Sequence, residues 1–205
     1  MGTKPQSSSV RGLVIFDLDG TLTVPHLDFD AIRAEIGLPP GPILEALAVL
    51  PAAERARALA VLDRHEQAAA HHAELHAGAA EVLETLRACG WPVAILTRNA
   101  RRWAEVVINR FELQIDALRT RDDGVIKPSP APIFELCATT NCDPRASWMV
   151  GDHLFDLQSG KAAGCATVLM LGNRPAPPYV DLADHAITRL TQLPGLLPDA
   201  HSPPI

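Results

Sequence analysis

Residues 12–16 form a short, almost wholly apolar run that ends abruptly in Asp17. A strand buried on both faces of a parallel sheet reads this way, because helices cover each side and leave no polar alternation. The same grammar returns at 92–97, 115–118, 147–152 and 166–171, each run preceded by a helical pattern. Residues 79–89 place Val82, Leu83 and Leu86 on one face and stop at Gly90, while 100–111 stack Trp103, Val107 and Phe111 at i, i+4 spacing. The helix expected over 130–138 opens with a proline, and the one over 154–163 stops at Gly164. Alternating strands and helices predict an α/β protein with a doubly wound, Rossmann-like parallel sheet.

Between the first strand and residue 79 the pattern changes. Residues 25–77 hold no strand-like run, but Asp28 reads as an N-cap, Pro42 and Pro51 as first-turn residues and Gly37 as a stop. We read 25–77 as a small α-helical cap inserted after the first strand. The α/β core then comprises 10–24 and 78–192, with tails at 1–9 and 193–205. The Ala-rich stretch 52–76 has only a thin apolar stripe around Leu59 and Leu62, too little for a core of its own. The cap is therefore expected to lean on the rest of the chain as a mobile lid over the carboxyl ends of the strands, where open α/β sheets bind ligands. Residues 193–205 contain four prolines and little periodicity, as a surface tail would.

Composition narrows the function. A chain of 205 residues, 47% of them apolar, buries about 70% of its unfolded surface and is not disordered as a whole. A net charge of −6 leaves no broad cationic face for nucleic acid or anionic lipid. No apolar run approaches the ~20 residues of a bilayer span, and the first ten residues do not read as a secretory signal, so a cytoplasmic monomer or homodimer is expected. Cys89, Cys137, Cys142 and Cys165 are too far apart for a redox pair or zinc site and read as buried reduced thiols. His65, His71, His72 and His76 read as a solvated helix face.

Four segments place polar groups at strand ends. In Asp17-Leu18-Asp19-Gly20-Thr21, two carboxylates two residues apart follow a buried strand; Asp17 suits a nucleophile or metal ligand and Asp19 a proton donor and acceptor at the same centre. The same string also serves as turn chemistry. Thr97-Arg98-Asn99 sets a hydroxyl and backbone N–H groups before a helix, a ready anion site, although Thr97 alone also reads as a helix cap. Lys127 is one of only three lysines, which argues against a merely solubilising role. In Gly151-Asp152-His153-Leu154-Phe155-Asp156, two acids at i, i+4 repel each other unless a cation is held nearby, and magnesium is the natural candidate. His153 faces either the cleft or solvent.

The ordered set Asp17-x-Asp19-Gly20-Thr21-Leu22, Thr97, Lys127-Pro128 and Gly151-Asp152-x-x-x-Asp156 resembles the four motifs of the haloacid dehalogenase superfamily. The likeness is to its phosphatase branch with a small helical cap, phosphoglycolate phosphatase-like, and spans residues 10 to about 190. Leu75-His76-Ala77-Gly78 is similar to the family's cap exit and Ala183-Asp184-His185-Ala186-Ile187 to its last strand. The resemblance implies that Asp17 attacks phosphorus to form an aspartyl-phosphate, and that Asp19 protonates the leaving alcohol and then deprotonates water. It implies a magnesium ion held by Asp17, the Asp19 carbonyl and Asp152, with Asp156 as a further ligand or a hydrogen-bond acceptor behind them. Thr97 and Lys127 are then expected to bind phosphoryl oxygens, and Leu18, Arg98, Asn99 and His153 to contact substrate.

A magnesium-dependent phosphatase acting on a small phosphorylated metabolite is the expected activity. A phosphomutase would use the same aspartates but return the phosphoryl group to the substrate. It must exclude water by full cap closure, and this cap is short. Asp19 argues against haloalkanoate dehalogenation, which needs no acid–base partner there. The lack of any lysine between Lys4 and Lys127 argues against Schiff-base phosphonate cleavage. A non-catalytic binding module should have lost one of Asp17, Asp19, Lys127 or Asp152.

Overall fold

The computed structural model describes residues 11–198. The expected core residue Val10, the N-terminal tail and residues 199–205 lie outside the described residues. Six strands, β1 (Val14–Phe16), β2 (Val93–Leu96), β3 (Ala117–Arg119), β4 (Trp148–Gly151), β5 (Ala166–Met170) and β6 (His185–Ile187), form one sheet in the order β3-β2-β1-β4-β5-β6. Every neighbouring pair is parallel. Three helices, α1 (Phe29–Ile36), α2 (Ile43–Ala48) and α3 (Ala52–His72), follow β1, and α4 (Ala79–Ala88), α5 (Arg101–Arg110), α6 (Ala131–Thr140) and α7 (Leu154–Ala163) alternate with the later strands.

Strand periodicity splits the core into two layers. Val14, Phe16, Val93 and Ile95 pack on the side of α4 and α5, whereas Leu13, Ile15, Ala94 and Leu96 pack on the side of α6 and α7. Each fully buried Leu, Ile, Val or Phe stabilises the fold by roughly 1.5–3 kcal/mol. Because β1 lies between β2 and β4, the strand order runs outward from it in both directions, β2 to β3 one way and β4 to β6 the other, and the crevice of such a fold opens at its carboxyl end. Asp17 stands there.

Several boundaries follow the side chains. Asp28 Oδ1 accepts from the N–H groups of Asp30 and Ala31 at 3.1 and 2.9 Å, capping α1, and Gly37 ends it at φ +83°. The third strand is expected from 115 but starts at Ala117. The Asp116 carboxylate takes the Val93 N–H at 2.9 Å, a donor that a strand carbonyl would otherwise satisfy. Pro42 and Pro51 stand just before α2 and α3 rather than inside their first turns.

The inserted helices depart from expectation. Ile32, Ile43, Leu47, Ala58 and Leu62 form a hydrophobic cluster of their own, joined by Leu27, Ile36, Leu38, Leu44 and Leu50. The stripe on α3 looks thin only when read alone, because its partners come from α1 and α2. Leu59 is not part of it and stays 38% exposed. Farther along α3, Ala70 joins the main core. The chain enters and leaves the insertion through a pinned neck, with Val24 N–H donating to Glu74 O at 2.8 Å and His76 N–H to Leu22 O at 2.9 Å.

Leu193, where the sequence reading starts a surface tail, is fully buried in a 3-10 helix (Leu190–Gly195) packed on α4. Cys137 and Cys165 are buried, with burial pushing their thiols up to about 11 and about 12, but Cys89 is exposed because it sits on the solvent side where α4 ends. No helix among the described residues is long and apolar enough to cross a membrane.

Candidate active site

The chain leaves β1 in a tight turn in which Leu18 O accepts from the N–H groups of Leu22 and Thr23 at 3.0 and 2.9 Å. The turn requires Gly20 at φ +81°, and a Cβ there would come within 2.3 Å of the Asp152 carboxylate. That close approach brings the first and fourth motifs together. Leu18, expected among substrate contacts, has its side chain wholly buried in the main core and does not line the cavity, because its backbone closes the turn.

Lys127 is 2% exposed, and its Nζ donates to Asp17 Oδ1 at 2.6 Å and to Asp156 Oδ1 at 2.7 Å. The second Asp156 oxygen accepts the His153 N–H at 3.0 Å. Gly151 makes room for Asp156, whose Cγ would lie 2.2 Å from a Cβ at 151. Asp152 pairs with Arg174 at 2.9 Å. Asp17, Asp152 and Asp156 each offer an oxygen within 4.8 Å of the others. Such crowding has an electrostatic cost. Burial, with Asp156 and Asp152 beside it, raises Asp17 well above the ordinary carboxylate range despite Lys127. Burial and Asp156 push Asp152 up to about 6. Burial would lower Lys127, but Asp156 and Asp17 outweigh it and hold the ammonium.

Asp19 is raised by burial, against the hydrogen bond from Asn99, the charge of Lys127 and the hydrogen bond from Thr23. Asn99 Nδ2 donates to Asp19 Oδ2 at 2.5 Å, and Thr97 Oγ1 accepts the Asn99 N–H at 3.2 Å. Arg98 donates to Lys127 O at 3.2 Å, pairs with Glu45 of α2 at 2.6 Å and lies 4.7 Å over the Phe155 ring. His153 caps α7 by accepting from Phe155 N–H at 3.3 Å.

These groups share one cavity of about 640 Å³, which Asp17, Asp19, Thr97, Arg98, Asn99, Lys127, Asp152, His153 and Asp156 all line. Its opposite wall comes from the inserted helices and is mainly apolar, including Leu27, Phe29, Ile43 and Leu44. Sequence reasoning missed Arg174, which follows β5 at the same sheet edge, and Glu66, an acid on the buried face of α3. The first could be found from the shared sheet edge. The second carries no distinct signal, because α3 holds three acids and only the assembled structure shows which of them is buried. The histidines of α3 have separate contacts: His65 pairs with Glu35, His72 with Ala68 O, and His71 meets the Trp103 ring edge.

The chemistry of this donor set is all oxygen, with a buried ammonium beside it, which fits a hard divalent cation rather than zinc or copper. Residues 23–170 match the family of haloacid dehalogenase-like hydrolases. A haloacid dehalogenase-like hydrolase domain-containing protein of Arabidopsis thaliana is 30% identical over 181 residues, 82% of this chain and 74% of that one. The N-acetylmuramic acid 6-phosphate phosphatase of Pseudomonas putida is 33% identical over 178 residues, 75% and 80% of the two chains. Among solved structures, a hydrolase from Pseudomonas syringae superposes with a TM-score of 0.79 at 19% identity, over 92% of this chain and all of that one, a likeness of fold. With the family match covering most of the chain and relatives at least 30% identical over three quarters of it, the chain belongs to the haloacid dehalogenase-like hydrolase family.

Proposed function

We propose that the protein is a magnesium-dependent phosphatase that hydrolyses a small phosphomonoester through an aspartyl-phosphate on Asp17. One observation carries this reading: two carboxylates two residues apart, Asp17 buried and Asp19 half-buried, enter one cavity, the first held by an ammonium and the second by an amide. Their environments divide the labour. Lys127, with a bound cation, would favour the anionic form of Asp17 against the burial that raises it, while Asp19, also raised by burial and without a direct ammonium contact, is suited to hold a proton for the leaving group.

In the first step an Asp17 oxygen bonds to phosphorus as the ester P–O bond breaks, and Asp19 gives its proton to the departing alkoxide. In the second, Asp19 takes a proton from water as the water oxygen bonds to phosphorus. The bond to Asp17 then breaks and inorganic phosphate leaves. Thr97 and Lys127 stand where they can donate to phosphoryl oxygens, the positioned positive charge that phosphoryl transfer chiefly needs. Asp17, the Asp19 carbonyl and Asp152 would hold magnesium. Bound there, the ion neutralises phosphoryl charge and relieves the carboxylate crowding. Asp156 has both oxygens engaged by Lys127 and His153, which favours a role in holding the lysine over direct ligation.

Residues 25–77 act as the cap in this reading, and their apolar wall meets the part of the substrate beyond the phosphoryl group. The cavity volume matches a small metabolite. Purified protein assayed on a panel of phosphomonoesters should release phosphate with magnesium and stop with EDTA, and added magnesium should restore turnover. Full activity in excess chelator would contradict the metal assignment, and inactivity on every ester would contradict the function.

A further inference from the structure

Glu66 is a charged residue on a face of α3 that otherwise buries Leu62, Ala69 and Ala70. It is 2% exposed and lines the cavity wall. Burying a carboxylate merely to pack a helix costs more than an alanine or leucine there would, so its contacts should account for it. One oxygen accepts from the Arg121 guanidinium, and Oε2 accepts the Ala100 N–H at 3.2 Å.

Both partners belong to the core, and both bear on the loop after β2. Arg121 also donates from its guanidinium to Arg98 O at 3.2 Å, and its backbone N–H donates to Asn99 O at 3.2 Å. Thr97 Oγ1 takes the Asn99 N–H. The Arg98 and Asn99 carbonyls and the Asn99 and Ala100 N–H groups are thus all engaged, and the Asn99 side chain is left to reach Asp19 at 2.5 Å.

We infer that Glu66 is a positioning residue: carried by the cap helix, it pins the loop at 97–100 through Ala100 and Arg121 so that Asn99 holds the Asp19 carboxylate at the reacting centre. The inference rests on the acid–base reading of Asp19. It gives the cap a task in the chemistry through contacts made to a core loop. Its sequence signal is one of three acids in an alanine-rich helix, and spacing alone does not distinguish it from the other two, Glu54 and Asp63.

The test is a double-mutant cycle on the full chain with magnesium and p-nitrophenyl phosphate, using Glu66→Ala, Asn99→Ala and the pair, with melting curves for each. Each single variant should lower kcat by roughly 10-fold to 10²-fold with KM changed much less, since misplacing a reacting group costs on this scale. The pair should be no slower than Asn99→Ala alone, because both act through one contact. Glu66→Gln keeps an acceptor for Ala100 and should recover part of the loss. Should Glu66→Ala fail to fold, Arg121→Lys combined with Asn99→Ala serves in its place, with the same coupling expected. Multiplying effects, or a lowered melting temperature with kcat of the folded protein unchanged, would overturn the inference while leaving the phosphatase reading intact. An Asp19→Asn enzyme as fast as wild type would overturn the acid–base reading and this inference with it.

Discussion

The two walls of the cavity are built on different principles. On the core wall, Asp17, Thr97, Lys127 and Asp156 are all at most 8% exposed, and the charged ones are tied to one another at 2.6–2.7 Å. On the cap wall the surface is mostly Leu27, Phe29, Ile43 and Leu44, and of the charged links between cap and core, Glu45 to Arg98 and Glu66 to Arg121 reach the loops after β2 and β3, while Asp63 to Arg102 reaches α5. The core wall is thus a dense electrostatic lattice hung on strand ends. The cap wall is a greasy surface fixed by charged anchors, and its apolar part can vary in shape without disturbing the core wall.

The largest effect is expected from breaking the lattice. Removing Lys127 leaves Asp17 and Asp156 buried without their shared cation, and breaking a buried pair typically costs ~3–5 kcal/mol. Lys127→Ala should therefore lose turnover and also unfold at markedly lower urea. A variant as stable as wild type would show that water or a bound metal ion already screens these carboxylates.

A change on the cap wall should act differently. Leu44→Ala removes apolar surface from the far side of the cavity, and loss of such contact is worth about 1–3 kcal/mol in discrimination. Steady-state kinetics should show KM for the physiological ester raised about 10-fold with kcat changed much less. A fall in kcat at constant KM would mean that this wall takes part in the chemistry directly.

The smallest effect concerns a charged group outside both walls. Burial would raise Asp123, but hydrogen bonds from Arg101 and Thr120 outweigh it and hold the carboxyl below the ordinary 3.8. Its contribution to stability is therefore fully present above pH 3.8 and lost as pH falls through the depressed value. Urea melts of wild type and Asp123→Asn should differ modestly at pH 7 and converge in acid. A gap that persists below that range would assign the effect to packing.

The contrast between the walls also explains what was legible in the sequence. Strand-end acids can be read because a buried strand is an unbroken apolar run and the residue after it is held at the sheet edge by local geometry. Asp17, Asp152 and the whole of α7 appear where expected for that reason. The cap core was invisible because it is shared among three helices, each too short or too alanine-rich to show a wide stripe. Leu193 looked like a tail beside its prolines, yet it packs on α4, a contact made across about a hundred residues of chain. Arg174, Arg121 and Glu66 share this difficulty. Each meets its partner only after the sheet and cap have assembled, and no short-range spacing records the meeting.

The central claim is a covalent intermediate on Asp17, and Asp19→Asn offers the most direct view of it. With p-nitrophenyl phosphate the leaving group needs little protonation, so the first half-reaction should proceed, while attack by water, lacking its base, slows by about 10² to 10⁴. Rapid mixing should then give a nitrophenol burst stoichiometric with enzyme, and acid-quenched protein should carry a phosphoryl group on the peptide containing Asp17. Slow linear release with no phosphorylated peptide, or a phosphoryl group on another residue, would contradict the mechanism.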